Sequence, residues 1–406
     1  MPKLLSLNSY HYRRGGSDVV YLEHDAMFAA LGWQTACMSM HHPKNLVSPW
    51  DEFFVDELEM GGDYSMLRKL GMAGKVIYSN EARHKVLALL DRFTADVAHV
   101  HCIYHHLSPS VLPALKSRGV ATVMTAHDLK LACPAYKMFN SQGVCERCKG
   151  GNLTHVVRQR CLHGSLAVSS LVMVESWLHR AWGIYRKHLD AVVAPSQFYR
   201  NKLVEWGWPA EIIEVIPNFA DAQNFRPEFE PGLGFVYFGR LSPEKGLLTL
   251  IRAAQAAQVP LTLIGTGPQE NELRVLAGSS TNIEFAGYQS GHALWDRVRA
   301  ARAVVLPAEW YENAPMSVME AYACGKPVIG ANIGGMAEVI EPGVTGWLFT
   351  SAAEDELAAR LADVAALPAI AVRRVGEAAR HKVATQFTRE RYMVSMQSLY
   401  GRLGVR

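Results

Sequence analysis

Glu312 and Glu320 stand on either side of Asn313-Ala314-Pro315-Met316 and the residues that follow it. Pro315 suits the first turn of a helix and disfavours helix at the residue before it. Glu312 then belongs to a loop, and Glu320 to a helix less than two turns in. One acid reaching from a loop and one from a helix face can hydrogen-bond two polyols. Free N–H groups at the helix start, near Ala314–Met316, suit an anion between them. Taken alone, the pair reads more simply as an acid at a helix N-terminus and an unrelated surface glutamate. The flanking sequence argues otherwise.

A second signal is Gly239-Arg240-Leu-Ser-Pro-Glu-Lys245-Gly246, directly after the apolar run Phe235–Phe238. A glycine turn at a strand end, followed by Arg and Lys before a helix, makes a cationic clamp for phosphates, or a solvated helix start. A third is the Gly15-Gly16 turn after Lys3–Leu7, where glycine lets backbone approach a ligand closely. It lacks the spacing of a dinucleotide fingerprint, so a nicotinamide cofactor is not expected. His127, in Thr125-Ala126-His127-Asp128 at a strand end, reads by itself as a core or capping histidine.

These groups need a scaffold of alternating strands and helices. Strand candidates in the first half are Lys3–Leu7, Asp96–Val100, Val120–Thr125, Asp190–Ala194 and Ile212–Ile216, with a helix from about Asp18 to Leu31. The second half restarts at Phe235–Phe238, then Leu261–Ile264, Asn282–Phe285, Ala303–Leu306 and Pro327–Ile329. The fold class is α/β, with two doubly wound, Rossmann-like domains of parallel sheet facing a cleft. The expected division is 1–217, 218–385 and a C-terminal helix over 386–406 that packs back on the first domain, with a hinge near Pro217-Asn218.

Composition agrees with two cores. The chain has 406 residues, 49% hydrophobic and 19% charged, below the ~25% charged fraction usual in soluble domains, which argues against disorder. Net charge is +3, yet residues 129–189 hold nine basic residues against two acidic ones, Glu146 and Glu175. A nucleic-acid binder is more often basic over a whole domain, so no nucleic-acid partner is expected. The run Leu4-Leu5, Ser6-Leu7 before Asn8 is too short for a secretory leader. Leu166–Leu178 is interrupted by Ser169, Ser170, Glu175 and Ser176 and is shorter than the ~20 residues of a membrane span. Seven cysteines, an odd number, fit a reducing compartment. The expected location is the cytoplasm, at most peripheral on the cytoplasmic face of a membrane.

Together the motifs resemble the family-4 retaining glycosyltransferases of GT-B fold. The resemblance covers nearly the whole chain and is densest over 235–347. There the Gly239–Gly246 run, Leu263-Ile-Gly-Thr-Gly-Pro268, Glu312 with Glu320, and Gly334-Gly335 through Glu338 to Gly346 follow in the family's order. It implies that Arg240 and Lys245 grip the donor diphosphate in place of a catalytic metal. It also implies that backbone donors at Gly15, Gly16 and the Asn313-Ala314-Pro315-Met316 turn assist. Glu312 would hold the transferred sugar, Glu320 the ribose, and His127 would stand beside the donor sugar. Gly265 and Gly267 would leave room near the base. The expected partners are a nucleotide-sugar donor, UDP- or GDP-linked, and a lipid-linked or saccharide acceptor. The alternatives are a nucleotide-sugar epimerase of the same fold and a non-catalytic nucleotide-sugar-binding protein.

Cys133, Cys145, Cys148 and Cys161 form a C-x2-C centre with one further cysteine on each side, in an insertion over 129–164. Four thiolates suit a structural zinc, with a disulfide pair or free thiols as alternatives and His163 as a substitute ligand. A long helix, about Ser165 to His188, follows, with Trp177, Trp182, Tyr185, Arg180, Arg186 and Lys187. Its interleaved aromatic and basic residues suit anionic headgroups, or a core helix with a solvated end. His99, His101, His105 and His106 have no clean ligand spacing and read as a strand end and turn.

Overall fold

The computed structural model describes residues 1–58 and 65–405. In chain order the strands are β1 (Lys3–Leu7), β2 (Gln34–Met38), β3 (Val97–Val100), β4 (Ala121–Thr125), β5 (Phe139–Asn140), β6 (Gly143–Val144), β7 (Ala191–Ala194) and β8 (Ile213–Val215). Then come β9 (Phe235–Phe238), β10 (Leu261–Ile264), β11 (Ile283–Gly287), β12 (Ala303–Leu306), β13 (Val328–Ala331) and β14 (Gly346–Phe349). One six-stranded sheet runs β2-β1-β3-β4-β7-β8 and a second runs β11-β10-β9-β12-β13-β14; β5 and β6 form a separate hairpin. Every pairing within the two large sheets is parallel. Helices therefore cover both faces, and the central strands bury every residue, as continuous apolar runs require.

Each sheet reverses its winding once, between β1 and β3 in the first and between β9 and β12 in the second. Leu7 lies opposite Val100 across the first of these pairs, so the loops after both strands leave from one edge. The chain passes from the first lobe to the second through Pro217-Asn218 and returns at Phe387, whose carbonyl accepts from Ala220 N at 2.9 Å. The last helix, Arg389–Arg402, then lays Tyr392, Met393, Met396, Leu399 and Tyr400 against Leu4, Val20, Phe28, Val97, Val123 and Val193 of the first lobe. Thr388 caps it, accepting from Arg391 N.

One helix ends earlier than its sequence suggests. It spans Leu166–Trp182 and stops at Gly183, which takes the left-handed conformation while Ile184 N bonds back to His179 O. The apolar pattern to His188 continues as turns. The helix is also inverted. It buries Ser169, Val172, Glu175, Ser176 and His179 and exposes Leu166, Val168, Val174, Trp177 and Trp182. Buried Glu175 is compensated by buried Lys130, 2.8 Å away.

Candidate active site

Ligands of open α/β sheets bind at the carboxyl ends of strands, where the winding reverses. From β9 the chain turns through Gly239 and Arg240 to Lys245; from β12 it runs through Pro307 to Glu312. Gly246 lets the two loops meet. Its φ is +69°, and a Cβ there would stand 1.9 Å from Pro307 O, so no other residue fits. The consequence is an ion pair. Lys245 Nζ lies 2.5 Å from Glu312 Oε1, and Trp310 Nε1 donates to the same oxygen at 2.8 Å. The ammonium is also 5.0 Å from the Trp310 ring centroid.

Arg240 is exposed on a cavity of about 1070 Å³ between the lobes, shared with Arg14, Asp128, Lys137 and Trp310. A second chamber of about 100 Å³ shares Asp128, Tyr136 and Trp310 with it and adds His127, Glu312, Asn313 and Ala314. The Gly15-Gly16 turn, at the start of the helix Gly16–Ala30, faces the start of the helix Met316–Ala323. A Cβ on Gly16 would stand 3.5 Å from Met316 Cγ. Pro315 caps that second helix. Gly265 and Gly267 have a packing cause: Cβ atoms there would meet Gly239 O at 1.9 Å and Leu241 O at 2.1 Å. They seat the loop after β10 against the loop that carries Arg240. Glu320 lies on the helix, with its carboxyl pushed up to about 7 by burial, and is not among the residues lining either chamber.

Asn313 does more than line the chamber. Its Nδ2 donates to Ala126 O at 2.8 Å and to His127 O at 3.3 Å, while its Oδ1 accepts from Ser196 Oγ at 3.0 Å. The Glu338 carboxylate caps the first-lobe helix Gln197–Glu205, accepting from Gln197 N at 2.9 Å and from Phe198 N. Both residues tie the lobes together. The insertion adds Lys137 against Glu244 at 3.3 Å and Glu146 against Tyr311 OH at 2.8 Å. It also lines the large cavity with Phe139, Asn140, Ser141, Cys161 and His163. Sequence alone gives no sign of these cross-lobe bonds, although Glu338 belongs to one of the ordered motifs.

Behind His127 runs a stack of buried imidazoles. Ring centroids are 5.1 Å apart for His127 and His101, 4.7 Å for His101 and His99, and 4.4 Å for His99 and His24. Burial lowers the pKa of each, to about 4 for His127, so all four are neutral at pH 7. His99 lies near the end of β3 and His101 just after it, with His105 and His106 in the turn beyond, as the sequence suggests; His99 and His101 are in addition fully buried.

The four insertion cysteines are free thiols, Cys133 and Cys148 buried, Cys145 and Cys161 partly so. Burial and one another's charge push Cys148 up to about 12 and Cys161 to about 11. Cys133 accepts backbone hydrogen bonds from Ala135 and Met138, as a metal-bound thiolate would. Yet among the described residues no three His, Cys, Asp or Glu side chains are grouped to hold a metal ion. The donor chemistry suits zinc; the arrangement does not enclose one.

Two Rossmann-like lobes closed on a cleft, with cations and an acid at the winding reversal, define a GT-B glycosyltransferase fold. Residues 14–224 match the model of Glycosyltransferase Family 4, and residues 221–382 match Glycosyl transferases group 1. The chain belongs to glycosyltransferase family 4. It is 29% identical over 254 residues to WcaL of Salmonella typhimurium, named as a colanic acid biosynthesis glycosyltransferase, covering 58% of this chain and 62% of that one. It is 32% identical over 233 residues to glycogen synthase of Mycobacterium tuberculosis, 53% of each chain. The chain thus spans 62% or less of these relatives. In fold it is similar to sucrose-phosphate synthase of Thermosynechococcus elongatus (TM-score 0.71, 20% identity, 99% of both chains). Anabaena HepE in complex with UDP-glucose is likewise similar (TM-score 0.67, 17% identity, 99% of both chains).

Proposed function

We propose that this chain moves a sugar from a UDP- or GDP-linked donor to a saccharide or lipid-linked acceptor, with retention and without a catalytic metal. The reading rests on the Lys245–Glu312 pair in a cleft that Arg240 and His127 also line. With donor present, the diphosphate takes Lys245 and Arg240, and Glu312 is released to accept from hydroxyls of the sugar. The bond from the anomeric carbon to phosphate oxygen breaks as the acceptor oxygen bonds to that carbon on the same face. The acceptor's proton passes to the departing phosphate. Such a route needs fixed cations and an enclosed site more than a strong base. Glycosyltransferases named for colanic acid, lipopolysaccharide and amylovoran synthesis among the relatives support a role in surface or exopolysaccharide assembly.

Two subsidiary proposals go with it. The first is peripheral membrane contact through the segment 129–189. No helix among the described residues is long and apolar enough to cross a membrane, so any contact is lateral. Support comes from the exposed Trp177, Trp182 and Leu166, with Arg186 and Lys187 beyond the helix end. Lys130, Lys137 and Lys149, by contrast, are taken by Glu175, Glu244 and Glu205. The second is a structural zinc, which requires Cys133, Cys145, Cys148 and Cys161 to draw together; about one zinc per purified chain supports it, and metal-free protein removes it.

A thermal-shift screen of UDP- and GDP-sugars tests the main reading. One donor family should stabilise the protein, and that donor should be consumed only with acceptor. Epimerised donor without acceptor would make the protein an isomerase; no shift with any nucleotide sugar removes the reading.

A further inference from the structure

His101 and His127 share one hydrogen bond, His101 Nδ1 to His127 Nε2 at 2.8 Å, with the rings inclined by 17°. In the same stack both nitrogens of His99 are partnered, by Tyr400 OH and Thr125 Oγ1. Both nitrogens of His24 are partnered too, by Tyr392 OH and Tyr400 OH. His101 Nε2 is the exception: it is buried and has no partner among the described residues. That one orphan decides the direction of the shared bond.

Two neutral arrangements are available. If His127 Nε2 carries the proton and donates, His101 must hold its own proton on Nε2, as a buried N–H with nothing to accept it. If His101 Nδ1 carries the proton and donates, the orphan is only a lone pair. Buried N–H groups without acceptors are rarer than under-used acceptors, and a ring of fixed shape has no other way to relieve one. The rings packed around the pair, His24, His99 and Tyr21, are uncharged at pH 7, and the acids that share the small chamber with His127, Asp128 and Glu312, do not offset the desolvation that lowers its pKa.

We infer that His101 is a positioning residue that holds His127 in the Nδ1–H tautomer. His127 lines the small chamber beside Glu312 and Asn313, and Nδ1 is its remaining polar atom. It therefore offers the cleft a neutral N–H donor and cannot serve there as a base. An oxygen of the bound sugar is the group it fits. This consequence rests on the transferase reading above; the tautomer itself does not.

The test uses the full chain labelled with 15N-histidine. Long-range 1H–15N correlation at pH 7 identifies which ring nitrogen bears the proton, and the His127 signals are assigned by their loss in His127→Asn. The expected result is a proton on Nδ1 of both His127 and His101. In His101→Phe the His127 pattern should move toward the other tautomer, while in His101→Asn, whose amide N–H replaces Nδ1–H, it should return. A His127 that carries its proton on Nε2 in the unaltered protein overturns the inference even if neither variant folds. Using the donor found by thermal shift, kcat should fall about tenfold in His101→Phe and recover in His101→Asn. Failure to find a donor leaves the spectrum intact, so the two readings fail separately.

Discussion

Lys245 and Glu312 are 67 positions apart, yet Nζ and Oε1 are 2.5 Å apart because their loops leave the two strands where the second sheet reverses. The pair keeps 26% and 14% of its side-chain exposure, so it opens onto the cleft instead of lying sealed in the core. A partly exposed pair of this kind contributes little to stability. On the proposed reading its value lies in holding both groups where a diphosphate and a sugar would separate them.

Lys245→Ala should therefore leave the melting temperature within a few degrees of the parent while cutting kcat/KM for transfer by about 10²-fold or more, the usual loss for a fixed charge on a leaving group. Circular dichroism and initial-rate kinetics check both halves. Turnover near the parent value would remove the clamp from the mechanism.

Glu320 titrates at about 7 in the fold because it is desolvated, against ~4.3 in an unfolded chain. Between these values the folded state holds a proton that the unfolded state has lost. The group's contribution is thus full below about pH 4 and is lost as pH rises through about 7. Glu320→Gln cannot ionise, so it should gain on the parent between pH 5 and pH 8. The gain should reach about 1–3 kcal/mol, because a tenfold change in proton affinity is worth ~1.4 kcal/mol. Chemical denaturation at the two pH values measures it, and a difference that stays flat contradicts the burial. If ribose hydroxyls donate to this carboxylate, nucleotide binding at pH 7 should release a proton. Calorimetry in buffers of different ionisation heat would detect that release.

The cross-lobe bonds of Asn313 and Glu338 hold the cleft shut in this conformation. Asn313→Ala removes the side-chain donor to the Ala126 and His127 carbonyls and the acceptor of the Ser196 hydroxyl, which keeps its bond from Tyr199 N, at a cost of about 1–3 kcal/mol. Glu338→Gln weakens a charged cap by about 1 kcal/mol. Both variants should populate an open form with a larger radius of gyration in solution scattering, and donor KM should rise by about tenfold. An unchanged scattering profile in both would show that closure does not depend on them.

Much of this arrangement was legible in the sequence, for a physical reason. Phe235–Phe238, Leu261–Ile264 and Ala303–Leu306 match β9, β10 and β12 residue for residue, because strands covered on both faces are apolar almost throughout, with Thr262 the one polar member. The edge strands β2 and β14 escaped: Gln34 and Thr35, polar and not buried, open the first, and Gly346, buried where a Cβ would stand 2.1 Å from Val328 O, opens the second without an apolar side chain. Lys245 and Glu312 announced themselves through their neighbours. The histidine stack did not: His24, the His99–His101 pair and His127 come from three separate segments, and only folding brings their rings together. Asn313 and Glu338 were visible as motif members, but their bonds reach across the lobes and depend on closure.

The helix Leu166–Trp182 turns its polar residues inward and leaves Trp177 61%, Leu166 55% and Trp182 44% exposed. A solvated helix gains nothing from that arrangement, since about 25 cal/mol is forgone for every Å² of apolar surface left in water. An anionic bilayer surface would recover it: the two indoles suit the headgroup region, and Arg186 and Lys187, both exposed, lie just past the helix end. Co-sedimentation with vesicles should show binding to anionic lipid and little to zwitterionic lipid, weakened by salt. Trp177→Ser and Trp182→Ser should each lower the partition coefficient by about three- to tenfold, or about 1 kcal/mol; the melting temperature should stay unchanged in Trp177→Ser and fall slightly in Trp182→Ser, whose ring also packs against Tyr78 and His179. Equal partitioning of parent and double variant, or no binding to anionic vesicles at low salt, would assign this face to something other than a membrane.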